Sequence, residues 1–182
     1  MPLDEITDDE LLKRAGSGDE SAFTDLYRRR QGGIYRFALH MTGSQHVAEE
    51  ITQEVFLTLV RGMNGFDCTR GSVQAWLYGI ARNCVLRYFR REPSVLPLGD
   101  ISDAGMLSGN DREDSIAAVR RAVLSLPEPF REAVALCDLQ EFTYQQAADA
   151  LGIPIGTVRS RVSRGRSMLA SFFRSRDVRC VV

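Results

Sequence analysis

Side chains that suit DNA recognition are concentrated between Gly156 and Arg166. Arginine donates two parallel hydrogen bonds to guanine in the major groove, and serine or threonine hydroxyls bond to phosphates or bases. On a helix, residues three and four apart share a face, so these side chains would meet the groove together. This stretch predicts a DNA-reading surface of Gly156, Thr157, Arg159, Ser160, Ser163 and Arg164, with Arg161 and Arg166 on phosphates at its edges.

The segment before this stretch supplies the elements that would position such a helix. A capping box opens a first helix at Thr143, and apolar residues recur along it at three and four. Gly152 ends this helix, and Pro154 fits the first turn of the next, where no backbone donor is needed. Two helices joined by so short a turn indicate a helix-turn-helix, whose second helix enters the major groove.

The composition excludes several classes of protein. The chain has 182 residues, 44% of them hydrophobic, and a net charge of −1, which is typical of a soluble globular protein. No apolar run approaches the roughly 20 residues of a membrane helix, and the acidic N-terminus lacks the features of a targeting peptide, so we expect a cytoplasmic protein without membrane insertion. Four cysteines without a C-x-x-C pair and two histidines predict no metal site, and we expect no cofactor.

Charge alternates along the chain in four blocks. Residues 1–27 carry −6, residues 28–92 carry +5, residues 93–114 carry −4 and residues 115–182 carry +4. Two basic segments separated by an acidic one favour two polyanion-binding modules. The alternative is that these blocks are only solvated faces.

Apolar residues recur at three and four in the segments on both sides of residues 93–114, whereas no strand period persists. We therefore predict an all-α fold of two small helical domains, residues 1–92 and 115–182, joined by a flexible acidic linker over 93–114. The C-terminal domain contains the helix-turn-helix. The pair Gly32-Gly33 is a predicted weak point within a long helix.

Longer strings resemble a known family. LPEPFREAVALCDLQEFTYQQAADALGIPIGTVRSRVSRGRSML resembles region 4 of bacterial sigma factors of the extracytoplasmic-function (ECF) group, VAEEITQEVFLTLVRGMNGFD resembles region 2.1–2.2, and GSVQAWLYGIARNCVLRYFRR resembles region 2.3–2.4. The resemblance covers about residues 19–91 and 115–172. It implies a factor, not itself an enzyme, that binds core RNA polymerase, recognises −35 duplex through its C-terminal domain and melts −10 DNA through its N-terminal domain.

The resemblance also implies roles for particular residues of the N-terminal domain. An acidic helix face would dock on the clamp helices of the polymerase largest subunit, where charge steers the encounter and an aromatic side chain anchors it. A loop would capture a base flipped from the −10 element, and the helix after it would hold the opened strand by stacking and ion pairing. The docking residues are Glu49, Glu50, Gln53, Glu54 and Phe56, and the −10 residues are Met63, Asn64, Phe66, Asp67, Trp76, Tyr78, Arg82, Asn83, Arg87 and Tyr88.

Further partners are implied rather than visible. Members of this family are usually held inactive by a dedicated anti-sigma factor, and their acidic linkers are thought to mimic nucleic-acid phosphate. We expect the free protein to be a monomer.

Several alternatives remain open. The chain would instead be a stand-alone helix-turn-helix regulator if its N-terminal half sensed a ligand or dimerised, and an enzyme would need a catalytic motif that the sequence does not contain. Trp76 has an alternative role in the core. Cys180 is a candidate for a disulfide with Cys137 under oxidation, the alternative being four inert thiols.

Overall fold

The structure is a computed structural model that describes residues 6–63, 66–67, 69, 71–91 and 111–177. These residues are almost entirely helical and contain no strand, which confirms the all-α prediction. None of the described helices has the length and apolar character to cross a membrane. The helices are α1 (Asp8–Gly16), α2 (Glu20–Thr42), α3 (Gln45–Gly62), α4 (Val73–Arg91), α5 (Asp111–Leu124), α6 (Glu128–Val134), α7 (Tyr144–Leu151) and α8 (Ile155–Asp177), with a π-helical turn at Ala135–Leu139.

Local sequence signals set several helix starts. The side chains of Thr7, Asp19 and Ser44 accept backbone N–H bonds at the starts of α1, α2 and α3, as their positions predict. Thr143 and Gln146 form the capping box that opens α7. Gly152 ends α7 in the left-handed conformation, with φ of 65°. Thr143 and Gly152 therefore fix the start of α7 and the turn of the helix-turn-helix.

The helix α2 runs unbroken through the predicted weak point at Gly32-Gly33, so that prediction was wrong. A Cβ atom added at Gly33 would lie 2.5 Å from the Tyr78 hydroxyl of α4. The glycine is therefore needed for the close approach of α4 to α2, and packing against α4 outweighs its low helix propensity.

Residues of α1–α4, the N-terminal half, pack against residues of α5–α8, the C-terminal half. Buried side chains of both halves belong to one continuous hydrophobic core. Helix α4 lies along α7, and α2 contacts α5, α6 and the π-helical turn. Helix α5 begins at Asp111, four residues inside the predicted linker, and the remainder of that linker lies outside the described residues. No pattern in the sequence indicates this contact between the halves.

The crossing of α6 and α8 fixes the second helix of the helix-turn-helix. Gly165 of α8 is buried at this crossing. A Cβ atom added there would lie 2.6 Å from a methyl group of Val134 and 3.5 Å from the Phe130 carbonyl oxygen. The two helices therefore approach more closely than any side chain at position 165 would allow.

Candidate nucleic-acid interface

Helix α8 presents a polar face at its N-terminal end. Val158 and Val162 are buried beneath it and hold the helix against the domain. Thr157 is half-buried. The remaining residues predicted to enter the groove are exposed on one side, namely Gly156, Arg159, Ser160, Ser163 and Arg164.

Arg159 lies above the ring of Tyr144, with the guanidinium carbon 5.9 Å from the ring centroid. A cation placed over an aromatic face is attracted by the ring and is held in a restricted set of positions. Tyr144 is the first residue of α7, so this contact links the two helices of the motif. Sequence analysis did not identify Tyr144, which follows the capping threonine at the opposite end of α7 from the turn.

The two arginines predicted for phosphates are both directed toward carboxylates of their own half. Arg166 donates from Nε and Nη2 to the two Asp138 oxygens at 3.1 and 2.6 Å. This two-pronged contact raises the pKa of Arg166 above its ordinary value. Arg161 is only 24% exposed and lies 3.9 Å from Glu132. Neither guanidinium is free in this conformation. The sequence analysis had expected both arginines to be available for phosphates.

An open cleft of about 440 Å³ lies beside α4 and contains several of the predicted −10 residues. Phe66 and Trp76 stack at its wall, with ring centroids 4.9 Å apart and planes 26° apart. Trp76 also packs over Gly62, where an added Cβ atom would lie 3.3 Å from its ring. Trp76 is therefore half-buried and lines the cleft at the same time. The exposed side chains of Asp67 and Asn83 complete this wall, and Asn64 lies outside the described residues.

Tyr78 and Arg82 were predicted to face single-stranded DNA, but the structure turns both toward the C-terminal half. Tyr78 is 4% exposed and donates a 3.1 Å hydrogen bond to the Gln140 side-chain oxygen. Its ring makes edge contacts with Phe37 and Phe142, and burial raises its pKa to about 12. Arg82 donates to Glu132 at 2.7 Å. The correction has a simple cause, since the apolar surface of the other half lies on this side of α4.

Four of the five residues predicted to dock on the polymerase are accessible on the surface of helix α3, and the fifth, Phe56, is buried. Glu49, Glu50 and Gln53 are exposed and Glu54 is half-exposed. Phe56 is 4% exposed and packs against Tyr27, with ring centroids 4.7 Å apart, so it does not serve as a surface anchor. The exposed apolar side chains beside the acidic residues are Leu57 and Val60.

A groove of about 550 Å³ between α3 and α4 joins two sets of residues that the sequence treated separately. Glu50, Gln53 and Leu57 line one wall, and Tyr88 lines the other. Arg87 approaches the Glu54 carboxylate to 3.7 Å across it. The predicted docking surface and the end of the predicted −10 surface are therefore continuous.

The described thiols are not activated. Burial, and then the nearby Asp138 carboxylate, raises the pKa of Cys137 to about 11, and burial raises that of Cys84. Cys68 and Cys180 lie outside the described residues. Over the same described ranges, no group of three histidine, cysteine, aspartate or glutamate residues is arranged to hold a metal ion.

Comparison with known proteins relates both halves to one family. Residues 26–94 match the sequence model of sigma-70 region 2, and residues 116–169 match that of sigma-70 region 4. The ECF RNA polymerase sigma factor SigE of Mycolicibacterium smegmatis is 32% identical, over 94% of this chain and 69% of its own. The ECF RNA polymerase sigma-E factor of Escherichia coli K12 is 30% identical, over 91% of this chain and 94% of its own.

Two solved structures share the fold. RpoE of Bartonella quintana, solved with the anti-sigma factor NepR, is 25% identical and covers 79% of this chain and 91% of its own, with a TM-score of 0.63. CnrH, solved with the cytosolic domain of CnrY, is 21% identical and covers 92% of this chain and 97% of its own, with a TM-score of 0.74. The second likeness concerns the fold alone.

Proposed function

Because this chain belongs to the ECF RNA polymerase sigma factors and acts as an alternative sigma factor in transcription initiation, we propose that its two halves divide the promoter between them. The C-terminal half reads −35 duplex, and the N-terminal half binds core polymerase and melted −10 DNA. The observation that carries this division is the exposed arginine and serine face of α8 on a helix-turn-helix that is joined, in one chain, to the aromatic cleft beside α4.

The −35 contacts come from the exposed face of α8. Arg159 and Arg164 are the candidates for bidentate bonds to guanine, because both are exposed near the N-terminal end of the second helix. Ser160 and Ser163 lie on the same face and are short enough to let the helix approach the bases. Arg166 meets phosphate only after it leaves Asp138, so we assign it a secondary role.

The −10 contacts come from the cleft beside α4. A base that leaves the duplex loses its stacking energy, which a stack on Phe66 and Trp76 replaces. Asn83 offers an amide to the edge of that base, and Arg87, one turn further along α4 in the groove shared with α3, offers charge to the backbone. Melting by this route uses binding energy alone, so we assign no catalytic residue and no nucleotide hydrolysis.

Core polymerase binds the acidic surface of α3. Glu49, Glu50, Gln53 and Glu54 provide charge that steers the approach of a basic partner. We propose that Leu57, and not the buried Phe56, supplies the apolar anchor. We further propose that an anti-sigma factor competes for this protein, since the similar RpoE of Bartonella quintana was solved with one.

Transcription in vitro tests these assignments. The full chain is added to core polymerase with a pooled library of promoter fragments, and the start sites of the transcripts are sequenced. We expect starts to cluster downstream of one two-part motif. Arg159→Ala should abolish the −35 dependence, Trp76→Ala should weaken melting and Leu57→Ala should weaken core binding.

Matched variants separate these roles from general damage. Arg174→Ala removes an exposed arginine from the far end of α8, and its start sites should equal those of the parent. If the parent protein directs no promoter-specific starts while it still binds duplex DNA alone, the division of labour proposed for the N-terminal half is wrong. If Leu57→Ala binds core polymerase as well as the parent does, Leu57 is not the anchor.

A further inference from the structure

A second cavity lies next to the cleft beside α4, and helix α1 forms one side of it. This α1 pocket has a volume of about 490 Å³ and is bordered on one side by residues between Thr7 and Ser17, and on the other by Met63 and Phe66. Phe66 also lines the cleft, so the two cavities have one aromatic wall in common. Helix α1 lies outside both ranges that match the sigma-70 models, which begin at residues 26 and 116.

Helix α1 is held in place from two sides, which fixes the shape of this pocket. Leu12, which lines the pocket, is buried. Asp8 pairs with Arg29 of α2 at 2.9 Å. The Asp9 carboxylate accepts a 3.2 Å hydrogen bond from the backbone N–H of Val73, the first residue of α4. The pocket is therefore formed before any ligand binds, so that binding loses little conformational entropy.

The walls of the α1 pocket carry the groups that bind a nucleobase. Met63 and Phe66 present apolar surface on which a flat base can lie. Glu10 is exposed at the pocket and offers carboxylate oxygens. Carboxylates accept hydrogen bonds from the exocyclic amino group of cytosine, and adenine and guanine carry such a group as well. Thymine has no exocyclic amino group, and its carbonyl oxygens would face the carboxylate, so it should bind less well.

Lys13 supplies the positive charge that suits a nucleic-acid backbone. It lies three residues after Glu10 and therefore on the same side of α1, and it is exposed at the pocket. An ammonium group at this place can meet the phosphate beside the bound base. Consecutive bases of a strand are joined by one sugar–phosphate unit, so a strand that places one base in the cleft brings the next base to the α1 pocket across Phe66.

We propose that the α1 pocket binds a second unpaired base of the opened −10 strand, next to the base in the cleft, and that it favours a base with an exocyclic amino group. Phe66 then lies between the two bases, Glu10 accepts from the amino group and Lys13 binds the phosphate. The inference rests on the proposed function, because it takes the cleft beside α4 as the site of the first base. It gives helix α1 a direct role in promoter reading, in addition to the roles of α3, α4 and α8.

The first test uses the fact that Lys13 is the only lysine of the chain. Promoter fragments carry an aldehyde-bearing abasic sugar at successive positions of each strand in the opened segment, and the full chain binds them together with core polymerase. The Lys13 amine condenses with a nearby aldehyde, water leaves, and cyanoborohydride reduces the imine to a stable amine. A denaturing gel separates this 20.3 kDa chain from the large polymerase subunits. We expect one crosslinked position, adjacent to the position whose base occupies the cleft.

Three controls make this crosslink specific. Lys13→Arg keeps the positive charge but forms no stable imine, so its complex with the promoter should give no crosslink. Peptide mass spectrometry distinguishes a link at Lys13 from one at the N-terminal amine. The base in the cleft is identified independently, as the position at which removal of the base leaves Trp76→Ala without further effect on affinity.

The second test measures the base preference of the pocket. Fluorescence anisotropy of labelled promoter fragments with an opened segment gives their affinity for the complex of this chain with core polymerase. Cytosine, adenine or guanine at the crosslinked position should bind about tenfold more tightly than thymine. Glu10→Gln offers a donor as well as an acceptor and should bring this ratio close to one. Glu20→Gln changes the matched first-turn glutamate of α2, outside the pocket, and should keep the parent's ratio.

The outcomes separate this inference from the proposed function. A parent complex without a crosslink at Lys13, or with a crosslinked position that is not adjacent to that of the cleft base, overturns the α1 pocket as a base site. Equal affinity for all four bases at that position overturns the preference for an amino group. If instead the parent directs no promoter-specific starts, or if Trp76→Ala melts promoters as well as the parent does, the proposed function itself fails.

Discussion

The Arg131 guanidinium of α6 donates a 2.7 Å hydrogen bond to the backbone carbonyl of Met41, near the end of α2. It also donates to the carbonyls of Leu124, the last residue of α5, and of Leu126, two residues later, at 2.6 to 3.1 Å. The residue is 6% exposed, and burial lowers its pKa. A positive charge suits this place because carbonyl groups at helix ends carry partial negative charge.

Replacement of Arg131 should therefore be costly. Arg131→Met preserves most of the side-chain volume but leaves three buried carbonyl groups without their donor, so we expect the free energy of unfolding to fall by about 2–4 kcal/mol. Urea unfolding followed by circular dichroism measures the change. Arg174→Met, at an exposed site, should stay within about 0.5 kcal/mol of the parent. Equal losses in the two variants would contradict a special role for Arg131.

The two adjacent glycines of α2 should respond to alanine in opposite directions. Gly33→Ala brings a Cβ atom within 2.5 Å of the Tyr78 hydroxyl, so we expect a loss of about 1–3 kcal/mol. Gly32→Ala meets only the end of the Arg36 side chain, at 3.3 Å, and should gain up to about 1 kcal/mol from helix propensity. Thermal unfolding of both variants measures these two changes in stability, and a change of the same sign in both would contradict the prediction.

A second substitution tests whether the destabilisation by Gly33→Ala comes from the Tyr78 hydroxyl. Adding Tyr78→Phe to Gly33→Ala removes the hydroxyl that the new methyl group meets, and it should recover part of the stability. A double-mutant cycle measures the coupling, which we expect to be about 1 kcal/mol. If the losses of stability in the two single variants simply add in the double variant, the new methyl group at position 33 does not clash with the Tyr78 hydroxyl.

The free energy of unfolding should decrease as the pH falls, because His40 is held neutral in the folded protein. Burial, and then the positive charges of Arg120 and Arg36, lower the pKa of His40 from 6.5 to about 4, and its Nδ1 atom has no hydrogen-bond partner. Between these two pH values the unfolded chain binds a proton that the folded chain does not. The stabilising effect is therefore complete above about pH 6.5 and is lost as pH falls toward 4, by up to about 3 kcal/mol.

Denaturation at a series of pH values measures this dependence. His40→Gln cannot take up the proton and should flatten the curve between pH 4 and 6.5. His46→Gln removes the other histidine, which is 79% exposed, and should leave the parent curve unchanged. A parent curve retained in His40→Gln would assign the acid sensitivity to other groups.

The Cys137 thiol should react slowly in the folded protein. With a pKa of about 11 it holds very little thiolate at pH 8, so we expect iodoacetamide to modify it about a hundredfold more slowly than in the unfolded chain. Mass spectrometry of peptides after timed alkylation gives the rate at this residue. Modification as fast as in denaturant would revive the hypothesis of a disulfide with Cys180.

Local signals predicted the helix-turn-helix and did so for physical reasons. Thr143 caps a helix start wherever its hydroxyl can reach the N–H of Gln146, and Gly152 ends a helix because it adopts a positive φ at low cost. Both effects depend on residues within one turn. The helix start at Thr143 and the helix end at Gly152 could therefore be predicted from the sequence alone, and so could the exposed face of α8.

The sequence was a poorer guide to which side of a helix packs against a distant segment. The surface roles expected of Phe56, Tyr78 and Arg82 are the examples. Phe56 and Leu57 are neighbours, and a helical step of about 100° separates buried from exposed. The apolar period places Phe56 on the stripe with Val55 and Leu59, and the structure buries it, so the surface role that the resemblance implied for Phe56 conflicted with the helical pattern. Tyr78 and Arg82 share the side of α4 that meets the other half, whose contributing residues Glu132 and Gln140 lie more than 40 residues further along the chain. No periodicity within α4 contains that information.

The close crossing at Gly165 has a consequence for the thermodynamics of DNA binding. Because the backbones of α6 and α8 touch there, α8 is held at a fixed angle and depth before any DNA arrives. The conformational entropy of ordering this helix is lost when the protein folds, so it does not weaken the complex. Recognition of the −35 element should accordingly proceed as rigid docking, with a heat-capacity change set by the buried surface and no additional contribution from coupled folding.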